Sequence, residues 1–351
     1  MSEPAGRTGR AARPAEPSAP GSLRTDGALE VLRSARRVAL ICHQSPDNDC
    51  IGGMMALTHA LRRLGKVAHP LSPDPVPDYL QHVPGSDEIA VAVERLPEVD
   101  LVVTIEAASP ERTEPIWSNA RAQIERLPLL NIDHHVSNTG YGTERIFEPR
   151  SASVCEVLYR IIDELGVELD RTLAYCLLTG VIGDTRSFRT SSTTTETLRI
   201  AGQLIAAGAP LTEVSDAVHK YRHPAELAVW ADVLGRARCE DDVLWTELRR
   251  TDTEPRGLSI EQIDGLVEFL SDTRDVAAAL IFKELAPDRI RVSMRSDGRV
   301  DLTRVAARWG GGGHPQAAGC TIRGSSLAEA EAAVVAEVKR ALKRHRARPR
   351  S

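Results

Sequence analysis

Three short, uninterrupted apolar runs constrain the fold of this chain more than any other feature. They are RRVALICH (36–43), DLVVTIE (100–106) and PLLNIDHH (128–135), and each ends in polar or charged residues. Runs of this length that stay apolar on both faces are typical of strands buried in a parallel sheet. Helical segments follow them, so the sequence predicts an α/β fold with a parallel sheet covered by helices on both faces.

The helical segments are marked by their ends. MMALTHALRRLG (54–65) ends at glycine, and SASVCEVLYRIIDELG (151–166) begins with serine and ends at glycine, which are ordinary capping residues. TLAYCLLTGVIGDT (172–185) is an apolar helix that runs into a loop. Residues 193–225 are mostly helical, and we interpret them as a linker.

The pattern changes after this linker. Strands joined by turns are indicated within 237–250, 275–298 and 320–324, and helices within 259–271 and 327–343. The sequence therefore predicts two domains and two tails. The expected boundaries are a disordered tail at 1–22, a first domain at 23–192, a smaller mixed α/β domain at 226–340 and a basic tail at 341–351.

Composition excludes several classes of protein. The net charge of −5 argues against a protein dedicated to duplex DNA, which needs a basic surface. The six cysteines are scattered without a CxxC pair, which argues against a disulfide framework or a zinc knot. No apolar run approaches the roughly 20 residues that cross a bilayer, and the N-terminus lacks the apolar core of a secretory signal. We expect a cytoplasmic protein without a membrane partner.

A first chemical cluster follows the first apolar run. His43, Asp47 and Asp49 place one imidazole and two carboxylates within seven residues, which suits Mn²⁺ or a similar divalent ion. Asp47 and Asp49 lie two residues apart, and each could contact a different metal. The alternative is an ordinary turn in which Asp49 caps the following helix.

Two further acids lie at the ends of predicted elements. Glu106 ends the second run, where a carboxylate could bridge two metals; the alternative is a surface acid. Asp184 follows Gly183 where an apolar helix breaks, and it could complete a metal site. Its alternative role is to cap the next short helix.

The triplet Asp133-His134-His135 ends the third run. Burial of three polar side chains without partners is costly, so core packing explains the triplet poorly. One histidine could ligate a metal while the aspartate orients an imidazole. The other histidine could hold a phosphate oxygen or donate a proton.

A run of four glycines, Gly310–Gly313, precedes His314 in GGGGHPQAAG. Such a run exposes backbone N–H groups, and before a helix it could cradle a phosphate. Arg295 and Arg299 lie nearby in the sequence and could add charged contacts. The alternative is a flexible linker.

Taken in order, these motifs resemble a known family. HxxxDxD, a strand-end acid, DHH, GD(T) and GGGGHxxAAG are similar to the motifs of the DHH phosphoesterases. The resemblance is to the DHH–DHHA1 branch, which contains bacterial oligoribonucleases (nanoRNases), pAp phosphatases and di-AMP phosphodiesterases. It covers residues 23 to 340.

The resemblance implies a site with two Mn²⁺ ions, for which Mg²⁺ or Co²⁺ could substitute. It assigns His43 and Asp47 to one metal, assigns Asp49, His134 and Asp184 to the other, and makes Glu106 the bridge between them. His135 would contact the scissile phosphate and Asp133 would orient the histidine pair. The second domain would bind the rest of the nucleotide through Arg295, Gly311, Gly312, Gly313 and His314.

The implied substrates are short RNA, pApA, cyclic di-AMP and pAp, and the implied assembly is a homodimer. One position departs from the family, which usually has aspartate where this chain has Glu106. Glutamate is one methylene longer, so the metal geometry must differ. Two alternatives therefore stay open: a nucleotide-binding protein with weakened catalysis, and a long-strand exonuclease of the RecJ kind.

Overall fold

The computed structural model describes residues 26–219 and 223–346. The helices are α1 Asp26–Ser34, α2 Asn48–Arg63, α3 Ile116–Ile124, α4 Val154–Glu164, α5 Arg171–Asp184, α6 Thr195–Ala206, α7 Leu211–His219, α8 Pro224–Gly235, α9 Arg250–Thr253, α10 Leu266–Ser271, α11 Leu302–Ala306 and α12 Leu327–Arg346. The strands are β1 Arg37–Ile41, β2 Val67–Ser72, β3 Ala90–Val91, β4 Leu101–Ile105, β5 Leu129–Asp133, β6 Glu144–Phe147, β7 Arg238–Glu240, β8 Val243–Leu248, β9 Ala278–Ala286, β10 Arg289–Ser296, β11 Gly312–His314 and β12 Ala317–Arg323.

The first sheet has six strands in the order β3-β2-β1-β4-β5-β6, and every neighbouring pair is parallel. The three apolar runs form β1, β4 and β5, which are adjacent, so the predicted parallel sheet is confirmed. Strands β2 and β3 are added on one side of β1, whereas β4, β5 and β6 are added on the other side, so the strand order reverses at the boundary between β1 and β4. In open α/β sheets the crevice at the carboxyl ends of such strands is where ligands bind.

Both faces of this sheet are covered, and β1 shows how. Val38 and Leu40 pack into the layer formed by α1, α2, α4 and α5, whereas Ala39 and Ile41 pack with α3 on the opposite face. Successive side chains of a strand point to opposite faces. A strand covered on both sides therefore has to be apolar at every position, which explains the uninterrupted runs.

The predicted linker at 193–225 divides between the two domains. Helices α6 and α7 pack into the first core through side chains such as Leu204 and Val214. Helix α8 instead contributes Val229 and Val233 to a core of the second sheet. The boundary between the two domains therefore lies between α7 and α8. Residues 220–222, which connect these helices, are outside the described residues.

The second sheet has the order β11-β12-β10-β9-β8-β7, and it is antiparallel except for the parallel pair β8–β9. This agrees with the predicted mixed sheet. The predicted helix at 259–271 is shorter, because α10 begins only at Leu266. Helix α12 continues to Arg346, past the predicted end of the domain at 340. The tail predicted at 1–22 and residues 347–351 lie outside the described residues.

Within the described part of the chain, no helix has both the length and the apolar character that crossing a membrane requires.

Helices α2 and α5 cross at unusually close range, because glycines lie where they meet. A Cβ atom on Gly52 would lie 2.5 Å from the carbonyl oxygen of Cys176, and one on Gly180 would lie 2.5 Å from Oδ1 of Asp49. Both separations are far below van der Waals contact. The two glycines therefore permit the close packing of the helices, and Gly180 leaves room for the Asp49 side chain.

We predict that Gly180→Ala lowers the free energy of unfolding by about 1–3 kcal/mol, because the added methyl group overpacks this crossing. Urea denaturation measures the change. The matched control is Gly202→Ala on the exposed side of α6, where a Cβ atom meets nothing within 4 Å. That variant should be more stable by roughly 0.5–1 kcal/mol. Equal midpoints for Gly180→Ala and the wild type would contradict the close crossing.

Candidate active site

The polar clusters meet at the carboxyl edge of the first sheet. His43 follows β1, Glu106 follows β4 directly, and Asp133 is the last residue of β5. Asp184 reaches the same place as the last residue of α5. Asp184 does not cap a following helix, because the next helix begins at Thr195. Segments far apart in the sequence therefore contribute to one site.

The first turn of α2 positions Asp47 and Asp49. Asp47 is the N-cap, and its carboxylate accepts hydrogen bonds from the backbone N–H groups of Asp49 and Cys50 at 3.1 Å each. The chain is therefore extended at Asp47 and helical from Asn48 onward, and the residue that caps the helix is Asp47 and not Asp49. Asp49 is fully buried, and its carboxylate accepts hydrogen bonds from the N–H groups of Val154 at 2.5 Å and Cys155 at 3.0 Å. These donors form the N-terminus of α4, where a negative charge is favoured.

One group of potential ligands surrounds His43. Its Nε2 atom lies 3.8 Å from Oδ2 of Asp47 and 3.8 Å from Oε2 of Glu106. Cys50 belongs to the same group, in which all ligand atoms lie within 4.8 Å of one another. Burial raises the pKa of the Cys50 thiol well above its usual value, so the thiol is neutral. Sequence analysis missed Cys50, whose only signal is its position next to Asp49.

A second group surrounds His134. Its Nε2 atom lies 3.7 Å from Oδ2 of Asp49, 3.8 Å from Oε1 of Glu106 and 3.3 Å from Oδ2 of Asp184. Glu106 thus faces both groups, with one carboxylate oxygen toward His43 and the other toward His134. A carboxylate shared in this way is suited to bridge two cations.

The hydrogen bonds of His134 define its chemistry. Its Nδ1 atom lies 3.1 Å from the carbonyl oxygen of Ser151, which can only accept, so Nδ1 carries the proton. Nε2 then faces the carboxylates. Nε2 of His134 and Oε2 of Glu106 are buried and have no hydrogen-bond partner among the described residues. A buried polar atom without a partner costs about 1–3 kcal/mol.

The charges of the site favour a bound cation. Burial raises the pKa values of Asp49 and Glu106 well above their usual range, and neighbouring acids add to the effect. Burial alone would lower the pKa of His134, but Asp184 and Glu106 raise it well above the usual value. Bound divalent cations would remove this conflict, and imidazole with carboxylate is a donor set that they accept. The residues present therefore fit a metal centre.

Glu106 adopts an unusual backbone conformation. Its φ angle is 58°, in the left-handed region that residues other than glycine rarely adopt. Such conformations cost of the order of 1–3 kcal/mol and cluster at functional sites. The backbone N–H of Glu106 donates to the carbonyl oxygen of Ile132 at 2.9 Å, which ties this residue to β5. The strained turn directs the carboxylate between the two histidines.

Asp133 orients His135. The buried Asp133 Oδ1 atom accepts hydrogen bonds from the backbone N–H of His134 at 2.7 Å and from Nδ1 of His135 at 2.9 Å. Its Oδ2 atom accepts one from Nδ2 of Asn138 at 2.6 Å. Despite burial, the bonds and charge of His135 lower the pKa of Asp133, so the carboxylate is ionised. The Nε2 atom of His135 is left to face the cleft.

His314 approaches this histidine pair from the second domain. Its ring stacks on that of His135 with centroids 4.7 Å apart. Burial and the two neighbouring histidines lower the pKa of His314 to about 4, which keeps it neutral at neutral pH.

The glycine run before His314 is not a loop that leads into a helix. Gly312–His314 form β11, which pairs with β12. Gly313 has a φ angle of 132°, and a Cβ atom there would collide with the carbonyl group of Ala317. Glycine is therefore required because this hairpin is tight. The run nevertheless lines the cleft between the domains, which has a volume of about 1580 Å³.

Arg295 and Arg299, which the sequence indicated as possible phosphate contacts, each form an ion pair with a carboxylate. Arg295 donates to Oε1 of Glu268 at 2.5 Å, and Arg299 forms an ion pair with Asp242 at 3.0 Å. Arg295 lines the cleft with its charge already balanced. Arg112 and Arg291 also line the cleft, and sequence analysis missed both because neither belongs to a motif.

We predict that His135 carries its proton on Nδ1 and that Asp133→Asn shifts the proton toward Nε2, because an amide no longer favours Nδ1–H to the same extent. NMR of protein with isotope-labelled histidine distinguishes the two tautomers. Asn138→Ala is the control, since it removes a donor to Asp133 without changing its charge. A wild-type His135 protonated on Nε2 alone would contradict this geometry.

Comparison with known proteins agrees with the architecture. The model of the DHH family, N-terminal domain, matches residues 37–181, and the model of the DHHA1 domain matches residues 252–344. RecJ from Thermus thermophilus, in a crystal structure with Mn²⁺, is 15% identical and has a TM-score of 0.55. That match covers 92% of this chain and 55% of RecJ.

Two further proteins match over nearly their whole length. A crystal structure of an exopolyphosphatase-related protein from Bacteroides fragilis has a TM-score of 0.81 at 22% identity, and the match covers 91% of this chain and 97% of that one. The bifunctional oligoribonuclease and PAP phosphatase NrnA of Thermus thermophilus is 30% identical, over 90% of this chain and 93% of its own. The chain therefore belongs to the DHH–DHHA1 family of phosphoesterases, which are hydrolases acting on phosphoester bonds.

Proposed function

We propose that this enzyme hydrolyses short oligoribonucleotides and small nucleotides such as pApA, cyclic di-AMP and pAp to mononucleotides, with two Mn²⁺ ions. The observation that carries the proposal is the pair of histidine–carboxylate groups that share Glu106 at the cleft. The name of the Thermus NrnA relative, an oligoribonuclease and PAP phosphatase, supports this class of substrate. The Mn²⁺ bound in RecJ supports the choice of metal.

The proposed ligands are those of the two groups. His43 and Asp47 would hold one ion, Glu106 would bridge, and Asp49, His134 and Asp184 would hold the other. When bound, the ions would offset the negative charge that builds up on the phosphate and make a water molecule easier to deprotonate. Mg²⁺ or Co²⁺ could occupy the same oxygen and nitrogen ligands.

Residues of the protein would position the phosphate and exchange a proton with it. Asp133 holds the Nδ1–H of His135, so Nε2 is the atom that can exchange a proton at the scissile phosphate. His314, neutral and stacked on His135, would orient that ring and donate a hydrogen bond to the substrate. Gly311, Gly312, Gly313 and Arg295 would line the path of the remaining nucleotide.

The closed cleft favours short substrates over long strands. Asp272 of the second domain forms ion pairs with Arg186 and Arg189 of the first, each at 3.0 Å. Ser191 donates to the side chain of Gln316 at 2.7 Å. These contacts bridge the domains beside the cleft, and we infer that they limit the length of strand that it can hold. We therefore favour a short-nucleotide hydrolase over a RecJ-like exonuclease. The homodimer, the cytoplasmic location and the absence of duplex DNA binding stay predictions.

We predict that the pure protein with Mn²⁺ hydrolyses pApA, pAp and di- to pentaribonucleotides, and that EDTA abolishes this activity. Asp184→Asn should weaken Mn²⁺ binding by at least about tenfold, because it removes a charged ligand. Titration calorimetry with Mn²⁺ and chromatography of the products measure the two effects. Asp163→Asn is the control, since it removes an exposed carboxylate on α4. Failure of the wild type to cleave any of these substrates would end the proposal.

We predict that Glu106→Asp loses activity. One carboxylate oxygen of Glu106 lies 3.8 Å from Nε2 of His43, and the other lies 3.8 Å from Nε2 of His134. The backbone position is therefore matched to the length of a glutamate side chain. Shortening it by one methylene displaces the oxygens by about 1 Å, which can cost about a hundredfold in rate. A steady-state assay with pApA across a Mn²⁺ titration measures the loss. A gain in rate would instead support the alternative of a binding protein with weakened catalysis.

A further inference from the structure

The two groups of potential metal ligands differ in one donor atom. The group around His134 offers a ring nitrogen and carboxylate oxygens, whereas the group around His43 also contains the sulfur atom of Cys50. Among the cysteines of residues 26–219 and 223–346, Cys50 alone belongs to such a group. The proposed hydrolysis assigns no role to this thiol.

Helix α2 places Cys50 at the first group. Cys50 is the third residue after the N-cap Asp47, and its backbone N–H donates to Oδ1 of Asp47 at 3.1 Å. The Cα–Cβ bonds of a helix tilt toward its N-terminus, so the fully buried thiol is directed back toward Asp47 and His43. The ligand atoms of Cys50, Asp47, His43 and Glu106 all lie within 4.8 Å of one another.

Two other atoms of this group are available to a cation. Nδ1 of His43 lies 2.7 Å from the carbonyl oxygen of Gln44, which can only accept, so Nδ1 carries the proton and Nε2 keeps its lone pair. Oε2 of Glu106 lies 3.8 Å from this Nε2 atom, is buried, and has no hydrogen-bond partner among the described residues. A buried carboxylate oxygen that faces an imidazole lone pair points to a bound cation, independently of the cysteine.

The separations in this group are close to those around a tetrahedral ion. Zn²⁺ binds cysteine sulfur at about 2.3 Å and histidine nitrogen or carboxylate oxygen at about 2.0–2.2 Å, which places two ligand atoms of one ion roughly 3.3–3.6 Å apart. Nε2 of His43 lies 3.8 Å from Oδ2 of Asp47 and 3.8 Å from Oε2 of Glu106. Small side-chain rotations would therefore bring these atoms onto one ion.

The sulfur atom changes which ion the group prefers. Thiolate is a soft ligand that favours Zn²⁺ and Cd²⁺, whereas Mn²⁺ prefers oxygen ligands. An ion that binds the sulfur takes it as the thiolate, and the thiol proton passes to solvent. Four protein ligands fill a tetrahedral shell, as in structural zinc sites, whereas catalytic sites keep one position open. An ion held by all four ligands would leave no position for a substrate.

We propose that Cys50 is the fourth ligand of a closed tetrahedral site for thiophilic ions, so that Zn²⁺ displaces Mn²⁺ from the first group and inhibits the enzyme. The inference rests on the proposed function for the role of Mn²⁺, whereas the preference for the ion can be measured without a substrate. The group around His134 gains no such preference, because it contains no sulfur atom.

The test uses Cd²⁺ as a probe, since a thiolate bound to Cd²⁺ gives a charge-transfer band in the ultraviolet. All variants carry Cys239→Ser, because Cys239 is exposed and could bind Cd²⁺ by itself. The Cys239→Ser protein should show the band, and adding Cys50→Ser should abolish it. The matched control is Cys155→Ser, which removes a buried thiol that donates to the backbone carbonyl oxygen of Asp49 at 3.5 Å and should keep the band.

Metal affinities extend the test. Cys50→Ser should weaken Zn²⁺ binding about 10- to 100-fold, because it removes a ligand. The same variant should change Mn²⁺ affinity by less than about threefold, since Mn²⁺ gains little from sulfur. Competition with a chelator measures both affinities, and retained Mn²⁺ binding shows that the variant is folded. With Mn²⁺ and pApA, Cys50→Ser should require about 10-fold more Zn²⁺ for half inhibition.

A Cd²⁺ band that persists in Cys50→Ser would overturn the inference, because the sulfur ligand would then lie elsewhere. Equal losses of Zn²⁺ and Mn²⁺ affinity would also overturn it, since Cys50 would then support the fold. Equal inhibition of wild type and Cys50→Ser by Zn²⁺ would refute the inhibitory role. Failure of the Mn²⁺-loaded wild type to hydrolyse any nucleotide would refute the proposed function, and the Cd²⁺ band would still decide whether Cys50 is a ligand.

Discussion

The shared carboxylate of Glu106 is the constraint on which the rest of the site depends. Asp49 and Glu106 are buried, and Asp184 lies beside them, so several negative charges meet where water cannot screen them. Such an arrangement is unstable on its own, because buried carboxylates of like charge repel and shift their pKa values. Cations bound between His43 and His134 would neutralise these carboxylates, which would then act as metal ligands. The rest of the fold must therefore hold these carboxylates together against their mutual repulsion.

The surrounding structure holds these ligands by contacts that are independent of any metal. The N-terminus of α4 holds Asp49, and the carbonyl group of Ser151 fixes the orientation of His134. Gly180 leaves room for the Asp49 side chain, because a Cβ atom there would lie 2.5 Å from its Oδ1 atom. Because rigid elements supply these constraints, the site can be preorganised before an ion or a substrate arrives, which is what catalysis requires.

The sequence predicted the parts of this site that depend on the parallel sheet. The carboxyl ends of neighbouring parallel strands lie at one edge, so the residues after β1, β4 and β5 could be placed together without coordinates. The prediction failed where local geometry had alternatives: Asp47 and not Asp49 caps the helix that follows, and the glycine run forms a hairpin strand. The position of Arg291 at the cleft could not be predicted, because it depends on domain packing that no local pattern encodes.

One short segment connects the proposed metal ligands of the first domain to the second domain. Residues Arg186, Ser187 and Phe188 have φ angles of 49°, 58° and 66°, three consecutive left-handed conformations in residues that disfavour them. This turn begins just after Asp184 and carries Arg186 to Asp272 of the second domain. Asp184 and the domain contact at Arg186 therefore lie two residues apart, at the start of the same strained turn. The wall that carries His314 and Arg291 and the proposed metal ligand Asp184 are therefore joined through one short segment of chain.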